Sequence, residues 1–412
     1  MSRDQAANAL HLSTTARDAG AIRSVAQTRR RALWSGCVAH VLHDGYTDLI
    51  YVLLPVWQTE FGLGFQSLAA IRALYAATMA GLQRPAGRLA ERFGGRVVLG
   101  GGTALAALGF FLAGFSGGLL GLGMALALSG CGSSTQHPIA SGTIARVYGK
   151  DARGPLGIYN FAGDLGKAAF PAACSLLLTL MVWRHALWIM SGLGLIVAAV
   201  LARSLPATTT PSVRLEAASE EESLWRNGFA LLIIIGVLDT AVRMGFLIFL
   251  PFLLKAKGAS LPMIGASLSL IFIGGAAGKF ICGWLGSRIG VVGTVLTTEA
   301  GTAVCILAVL MAPLWVSMSL LPLLGLMLNG TSSVLYGTVP DLTPPHRTER
   351  AFAVFYSGTI GSGAIAPIIY GRLGDWVGVQ TATLATAVTA LLILPLAFGL
   401  APHLAPSASS RR

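Results

Sequence analysis

Charged residues are scarce in this chain, at 11% of 412, against roughly 25% in a soluble domain. Acidic residues are scarcest, 17 against 29 lysines and arginines. So few ions cannot cover a water-facing surface of this size, which excludes an ordinary soluble globule. Five cysteines (Cys37, Cys131, Cys174, Cys282 and Cys305) fall singly inside apolar blocks, with no Cys-x-x-Cys. They read as small buried hydrophobes, without the spacing of a metal site. No Gly-x-x-x-x-Gly-Lys-Ser/Thr loop is present, and no soluble stretch is large enough for catalysis. An enzyme, a nucleotide-driven pump and a resident cofactor or metal are therefore not expected. Residues 1–31 lack the apolar core and cleavage site of a signal peptide, so the first apolar block is expected to stay as a helix.

What is present is hydrophobicity, 54% of residues with a mean hydropathy of +0.71, and 51 glycines. Glycine is enriched where helices pack closely in lipid. The apolar residues come in blocks of about 20, the length that crosses a bilayer. Spans are expected near 33–57, 66–90, 96–115, 118–146, 154–180, 184–204, 229–255, 262–286, 291–311, 314–340, 350–371 and 376–402. Residues 1–32 then form a polar tail, 33–204 a six-helix bundle, 205–228 a polar linker, 229–402 a second bundle and 403–412 a tail. The net charge of +12 is assigned to loops that set orientation. Nucleic-acid binding would need a soluble basic face, so no nucleic-acid partner is expected. Arg29–Arg31, Arg88, Arg92, Arg96, Arg146, Lys150 and Arg153 fall on one side, followed there by Arg203, Arg214, Arg226, Arg288, Arg347, Arg350, Arg411 and Arg412. The other side holds Arg184, Lys255, Lys257 and Arg372. Both termini are expected in the cytoplasm, with the protein in the inner (plasma) membrane and the lipid bilayer as its partner.

The two halves repeat. Pro55 and Pro251 lie 196 positions apart, as do Gly87 and Gly283, Leu89 and Leu285, Arg92 and Arg288, Gly94 and Gly290, and Pro171 and Pro367. A constant offset across several helices indicates duplication with parallel topology.

Gly87-Arg88-Leu89-Ala90-Glu91-Arg92-Phe93-Gly94-Gly95-Arg96 resembles the Gly-x-Leu-Ala-Asp-Arg-x-Gly-Arg loop between spans 2 and 3 of the major facilitator superfamily. Gly283-Trp284-Leu285-Gly286-Ser287-Arg288-Ile289-Gly290 resembles its second copy. Glu91 replaces the usual aspartate, and Gly286 stands at that place in the second copy. The resemblance implies an all-α membrane protein of twelve transmembrane helices in two pseudo-symmetric six-helix bundles. It also implies a gating loop at Gly87, Glu91, Arg92, Gly94, Gly283, Arg288 and Gly290, and a monomer. A narrower resemblance is to the fosmidomycin-resistance-like efflux branch. It rests on His40-Val41-Leu42-His43-Asp44 through Pro55, on Gly132-Ser133-Ser134-Thr135-Gln136-His137-Pro138, and on Gly163-Asp164-Leu165-Gly166 through Pro171. Asp164 and Lys167 stand where that branch has neutral residues.

Ionisable groups at mid-bilayer cost at least about 2.5–3.5 kcal/mol each, so they face an interior and usually have a partner. In span 1, His40, Asp44 and Asp48 are spaced four apart and share a face with Tyr51 and Pro55. Asp44 or Asp48 is a candidate proton carrier, against a fixed ion pair. In span 5, Asp164 and Lys167 could neutralise each other or open as a switch, with Asn160 beside them; the same two readings apply to Asp239 and Arg243 in span 7. An arginine fork suits carboxylate or phosphonate oxygens. Arg72 and Arg84 in span 2 and Lys279 in span 8 can snorkel, pair or meet substrate. Gln136 and His137 in span 4, and Asn329 and Tyr336 in span 10, complete the candidate cavity lining. Glu299 lies on the third helix of a triplet and reads as a packing or pairing residue.

The expected function is proton-coupled efflux of a small anionic or amphipathic compound by alternating access. Import of an organic anion by symport or exchange is the alternative, and a non-transporting membrane sensor or assembly factor is the reading of another class.

Overall fold

The computed structural model describes residues 3–206, 228–343 and 348–404. Most of the expected linker, together with Arg214, Arg226, Arg347, Arg411 and Arg412, lies outside these residues. The described residues are helical with short turns and no strand. That follows from the solvent: in lipid each backbone N–H and C=O must be satisfied within its own segment.

Eight helices are long and apolar enough to cross a membrane. They carry nine spans, because the 51-residue helix Leu261–Met311 bends at Gly290 and holds spans 8 and 9. The other seven spans in this group of helices are single: span 3 (Gly95–Ala113), span 5 (Arg153–Leu180), span 6 (Trp183–Ser204), span 7 (Phe229–Ala256), span 10 (Leu314–Thr338), span 11 (Thr348–Val377) and span 12 (Val379–Leu400) are continuous helices. Three spans are less regular. Span 1 continues a polar helix and runs from Arg3 to Phe61, so the expected tail 1–32 is helical from Arg3. Span 2 divides at Leu82 into Phe65–Gly81 and Gln83–Phe93, and span 4 divides into Leu119–Ser133 and Gln136–Tyr148. Pro85 and Pro138 follow these breaks by three residues each, where each ring removes one helical hydrogen bond. Apolar side chains face outward, Leu120 80% and Met311 88% exposed, as lipid-facing positions require.

The duplication is visible in the backbone. Gly94 and Gly290, 196 positions apart, both close the turn into the next span with positive φ, 86° and 75°. Only glycine adopts that conformation without a Cβ penalty. Across the halves, span 2 packs on span 11, span 5 on span 8, and span 1 on span 7.

These inter-half contacts run from the face opposite the arginine-rich loops to mid-membrane. At the far face the Asp375 carboxylate accepts from the backbone N–H groups of Phe65 (2.6 Å) and Gln66 (3.0 Å), capping span 2 from the other half. Lys255 Nζ donates to Thr59 (3.3 Å), and Ser269 to the Ala168 carbonyl (2.5 Å). The Asp164–Lys279 pair is the bridge nearest the arginine-rich face among the described hydrogen bonds and ion pairs. Among the described residues, the polar contacts between the halves thus lie at the far face and at mid-membrane.

Candidate functional site

The break in span 4 and the glycines of span 5 let three helices meet closely around span 1. A Cβ on Gly166 would lie 2.1 Å from the Val41 carbonyl, and one on Gly163 would lie 2.5 Å from His40 Nε2 and 2.7 Å from Asp44 Oδ2. Neither position accepts a side chain at this spacing. Span 5 thus lies against the charged stripe of span 1, bringing Asp164 and Lys167 to it.

The outcome is a ladder of alternating charge. Asp44 Oδ2 lies 3.2 Å from His40 Nε2 and 3.3 Å from Lys167 Nζ, and Asp44 Oδ1 lies 4.0 Å from His137 Nε2. Lys167 Nζ is also 3.7 Å from Asp164. Both Asp164 oxygens accept from Lys279 Nζ at 2.7 Å. The order Lys279, Asp164, Lys167, Asp44, His40 crosses from the C-terminal half into the N-terminal half. The aspartate side chains are 10–12% exposed, while Lys167 and Lys279 are 31% and 39% exposed. The cations therefore face the cavity and the anions stand behind them.

Asp48 sits apart from the ladder. Arg72 Nη2 approaches it at 4.0 Å, and the same guanidinium lies over the Tyr51 ring at 5.1 Å. Arg72 is thus a buried partner of span 1 and does not snorkel. Tyr51 donates toward the Met244 sulfur of span 7 at 3.7 Å, beside the junction of the halves. Gln136 donates to the Tyr159 hydroxyl (2.8 Å), which approaches His137 Nδ1 (3.4 Å).

The structure redraws two pairings read from spacing. Asp164 is held more closely by Lys279, three spans further along the chain in the other half, than by its helical neighbour Lys167. Asp239 lies beside Glu299 of span 9, and no Asp239–Arg243 ion pair occurs among the described residues. Glu299 is a pairing residue, and the nearby Thr331 hydroxyl donates to Thr298 (2.8 Å). Asn160 is exposed on the cavity-side stripe of span 5. Asn329 spends its amide on the Gly325 carbonyl (3.0 Å). Tyr336 stacks with Tyr356 and meets Thr359 (3.4 Å). Neither joins the ladder. In the gating loops Arg92 lies over Phe93 and Arg288 over Trp284, and Glu91 is exposed with no ion pair among the described residues.

Tyr159 escaped the sequence reading. Its carbonyl accepts from His40 Nδ1 (2.8 Å) and its ring stacks on that imidazole at 4.1 Å. A tyrosine at the end of an apolar span ordinarily signals an interface anchor, and nothing local distinguished it. Thr103 was also missed. With Ser133 it brackets His43 at 3.0 Å on either side.

The donor atoms of His40, Asp44 and His137 lie within 4.8 Å of one another, an arrangement that invites comparison with a metal site. The Lys167 ammonium 3.3 Å from Asp44 already supplies a cation there, and a divalent ion would be repelled by it.

The family model described as Major Facilitator Superfamily matches residues 36–238 and, separately, 232–412. The chain belongs to the major facilitator superfamily. The double match follows the 196-residue repeat, and the protein is a multi-pass membrane transporter, not an enzyme. The chain is 22% identical to the fosmidomycin resistance protein of Escherichia coli (strain K12) over 370 residues, covering 88% of this chain and 91% of that protein. It is 27% identical over 366 residues to monocarboxylate transporter 11 of Homo sapiens, covering 85% and 71%. Among solved structures, the inward-facing, unoccupied bacterial homologue of the lysosomal transporter Spinster matches with a TM-score of 0.76 at 16% identity, covering 92% of this chain and 98% of that one. The nucleoside transporter NupG matches with a TM-score of 0.72 at 14% identity, covering 90% and 99%. These two likenesses establish the shared fold.

Proposed function

We propose that this superfamily member exports a small anionic or amphipathic compound, drug- or phosphonate-like, in exchange for protons. The observation that carries the reading is the ladder from Lys279 to His40. Two partly exposed ammonium groups face a cavity, and each is neutralised by a carboxylate behind it. An anion entering from the arginine-rich side, taken as cytoplasmic from the loop charges, meets Lys167 and Lys279 and competes with Asp44 and Asp164 for them. Exchange requires that the anion and the proton occupy this site by turns. In exchange, substrate binds as the proton leaves toward the cytoplasm. Rocking of the halves then carries the anion to the far face, where protonation of the ladder accompanies its release. One charge crossing 100 mV is worth about 2.3 kcal/mol, so one proton supplies a useful bias. Arg72 with Asp48, and Arg243, are secondary cavity contacts in this reading, and one copy of the chain suffices for the site.

Import is the second reading. It is favoured by similarity to a protein named a monocarboxylate transporter, because the same lysines would bind a carboxylate carried inward with a proton. The distinguishing experiment uses proteoliposomes containing purified protein, a trapped pH-sensitive dye and an imposed proton gradient. Phosphonates and monocarboxylates are added singly. Exchange gives proton movement opposite to substrate movement, lost in Asp44→Asn. Parallel movement establishes symport. Substrate flux without proton movement, unchanged in Asp44→Asn and Asp48→Asn, would remove coupling altogether.

A further inference from the structure

The hydrogen-bond directions around His40 assign a proton. The His40 Nδ1 atom lies 2.8 Å from the backbone carbonyl of Tyr159. A carbonyl can only accept, so Nδ1 carries the hydrogen. In a neutral imidazole the other nitrogen then presents a lone pair. That nitrogen, Nε2, lies 3.2 Å from Asp44 Oδ2, and an ionised carboxylate oxygen also only accepts. Two acceptors would then face one another with both residues buried, His40 5% and Asp44 9% exposed. Such an unsatisfied, repulsive contact is costly in a low-dielectric interior. A single proton between them turns the contact into a charge-assisted hydrogen bond.

We infer that His40 and Asp44 share one exchangeable proton, carried on His40 Nε2 and donated to Asp44 Oδ2, and that this pair is the transporter's proton-binding site. The proton's place in transport rests on the exchange reading above; its presence does not. His40 thereby becomes part of the chemistry, not only a helix-packing residue. His137 provides the contrast. Its Nδ1 meets the Tyr159 hydroxyl (3.4 Å), which can donate to it or accept from it, and its Nε2 is 4.0 Å from Asp44, beyond hydrogen-bonding distance.

The groups facing the pair explain how the proton can leave. Lys167 of span 5 already stands 3.3 Å from Asp44 Oδ2. When the proton departs from Nε2 to the cavity, His40 becomes neutral and Asp44 keeps its charge. Lys167 can then close on Asp44 and give up its 3.7 Å contact with Asp164, leaving Asp164 to Lys279 of span 8. One proton is lost, and no other covalent bond is broken. One turn further along span 1, Asp48 is approached by Arg72 of span 2, with Lys167 of span 5 and Arg243 of span 7 also acting on it. Span 6 carries its charged groups only at its ends.

The test is nitrogen NMR of the purified full-length protein labelled with 15N-histidine, read alongside proton flux in liposomes. The His40 signal is assigned by its loss in His40→Gln or, should that variant misfold, by its displacement in Asp44→Asn. The expected result at neutral pH is one histidine protonated on both ring nitrogens, distinct from a neutral His137. His40→Gln retains a donor toward Asp44 but cannot titrate. It should lose proton-driven flux while still exchanging anion for anion. A neutral His40 would overturn the assignment. A charged His40 with undiminished proton flux in His40→Gln would overturn its coupling role. If the wild type moves substrate without protons while His40 is charged, the exchange reading fails and the shared proton stands.

Discussion

The two halves share a backbone and differ in chemistry. At the 196-residue offset, His40, Asp44, Asp48, Arg72, His137, Asp164 and Lys167 become Gly236, Thr240, Met244, Leu268, Ser333, Ile360 and Gly363. The reverse also holds: Asp239, Arg243, Lys279 and Glu299 answer to His43, Thr47, Gln83 and Thr103. What both copies retain is mechanical, namely Pro55 with Pro251, Pro171 with Pro367, and the positive-φ glycines Gly94 and Gly290. Duplication supplied a rocking frame, and the titratable groups collected on one side of it. The C-terminal half contributes Lys279 to the ladder and keeps its own carboxyl pair, Asp239 with Glu299, away from it.

The largest test of this asymmetry is Asp164→Asn, which leaves Lys167 and Lys279 facing each other without a shared anion. Transport should fall to background. Thermal unfolding in detergent should show a loss in the lower part of the roughly 3–5 kcal/mol typical of breaking buried pairs, because both lysines are partly solvated. Removing the C-terminal counterpart, by Ile360→Ala, should leave transport nearly intact and register only as lost packing. If both variants abolish transport equally, the halves are chemically equivalent after all.

Gly163→Ala comes next. The added methyl would sit 2.5 Å from His40 Nε2, forcing spans 1 and 5 apart at a cost of about 1–3 kcal/mol and weakening proton coupling. The equivalent position in the other half is Thr359, which already carries a side chain. Thr359→Ala loses a 3.1 Å hydrogen bond to the Tyr356 carbonyl and a 3.4 Å contact with Tyr336 and should cost about 1 kcal/mol by the same unfolding assay.

Asp375→Asn tests the far-face latch. It weakens two hydrogen bonds from span 2, an effect of about 0.5–2 kcal/mol. The latched conformation should lose population several-fold, seen as raised labelling of single cysteines placed at the far face. The smallest effect is expected for Tyr336→Phe, with transport unchanged and stability within about 0.5 kcal/mol.

Most of this fold was legible in the sequence because lipid imposes length and hydropathy on every span, and the repeat appears as a numerical offset. Span 2 and span 4 were read as single helices, and their breaks near Pro85 and Pro138 needed coordinates to place. The site was legible to the level of which residues carry charge inside the bilayer. Partnership was harder to read. Spacing within one helix suggested Asp164 with Lys167, whereas Lys279 arrives from a helix more than 100 residues away. Tyr159 acts through its backbone carbonyl, an atom that carries no residue-specific sequence signal. Glu299 was recognised as a pairing residue, and its partner Asp239 emerged only from the packing of spans 7 and 9.

The most direct test of coupled exchange measures protons released on substrate binding to purified protein in weakly buffered detergent. A phosphonate shown to bind by calorimetry is added to saturation, and the pH is followed with wild type and Asp44→Asn. Exchange requires that substrate and proton occupy the site by turns, so the expected result is proton release by the wild type, abolished in the variant. Proton uptake on binding, or demonstrable binding with no proton change, would contradict exchange through this ladder.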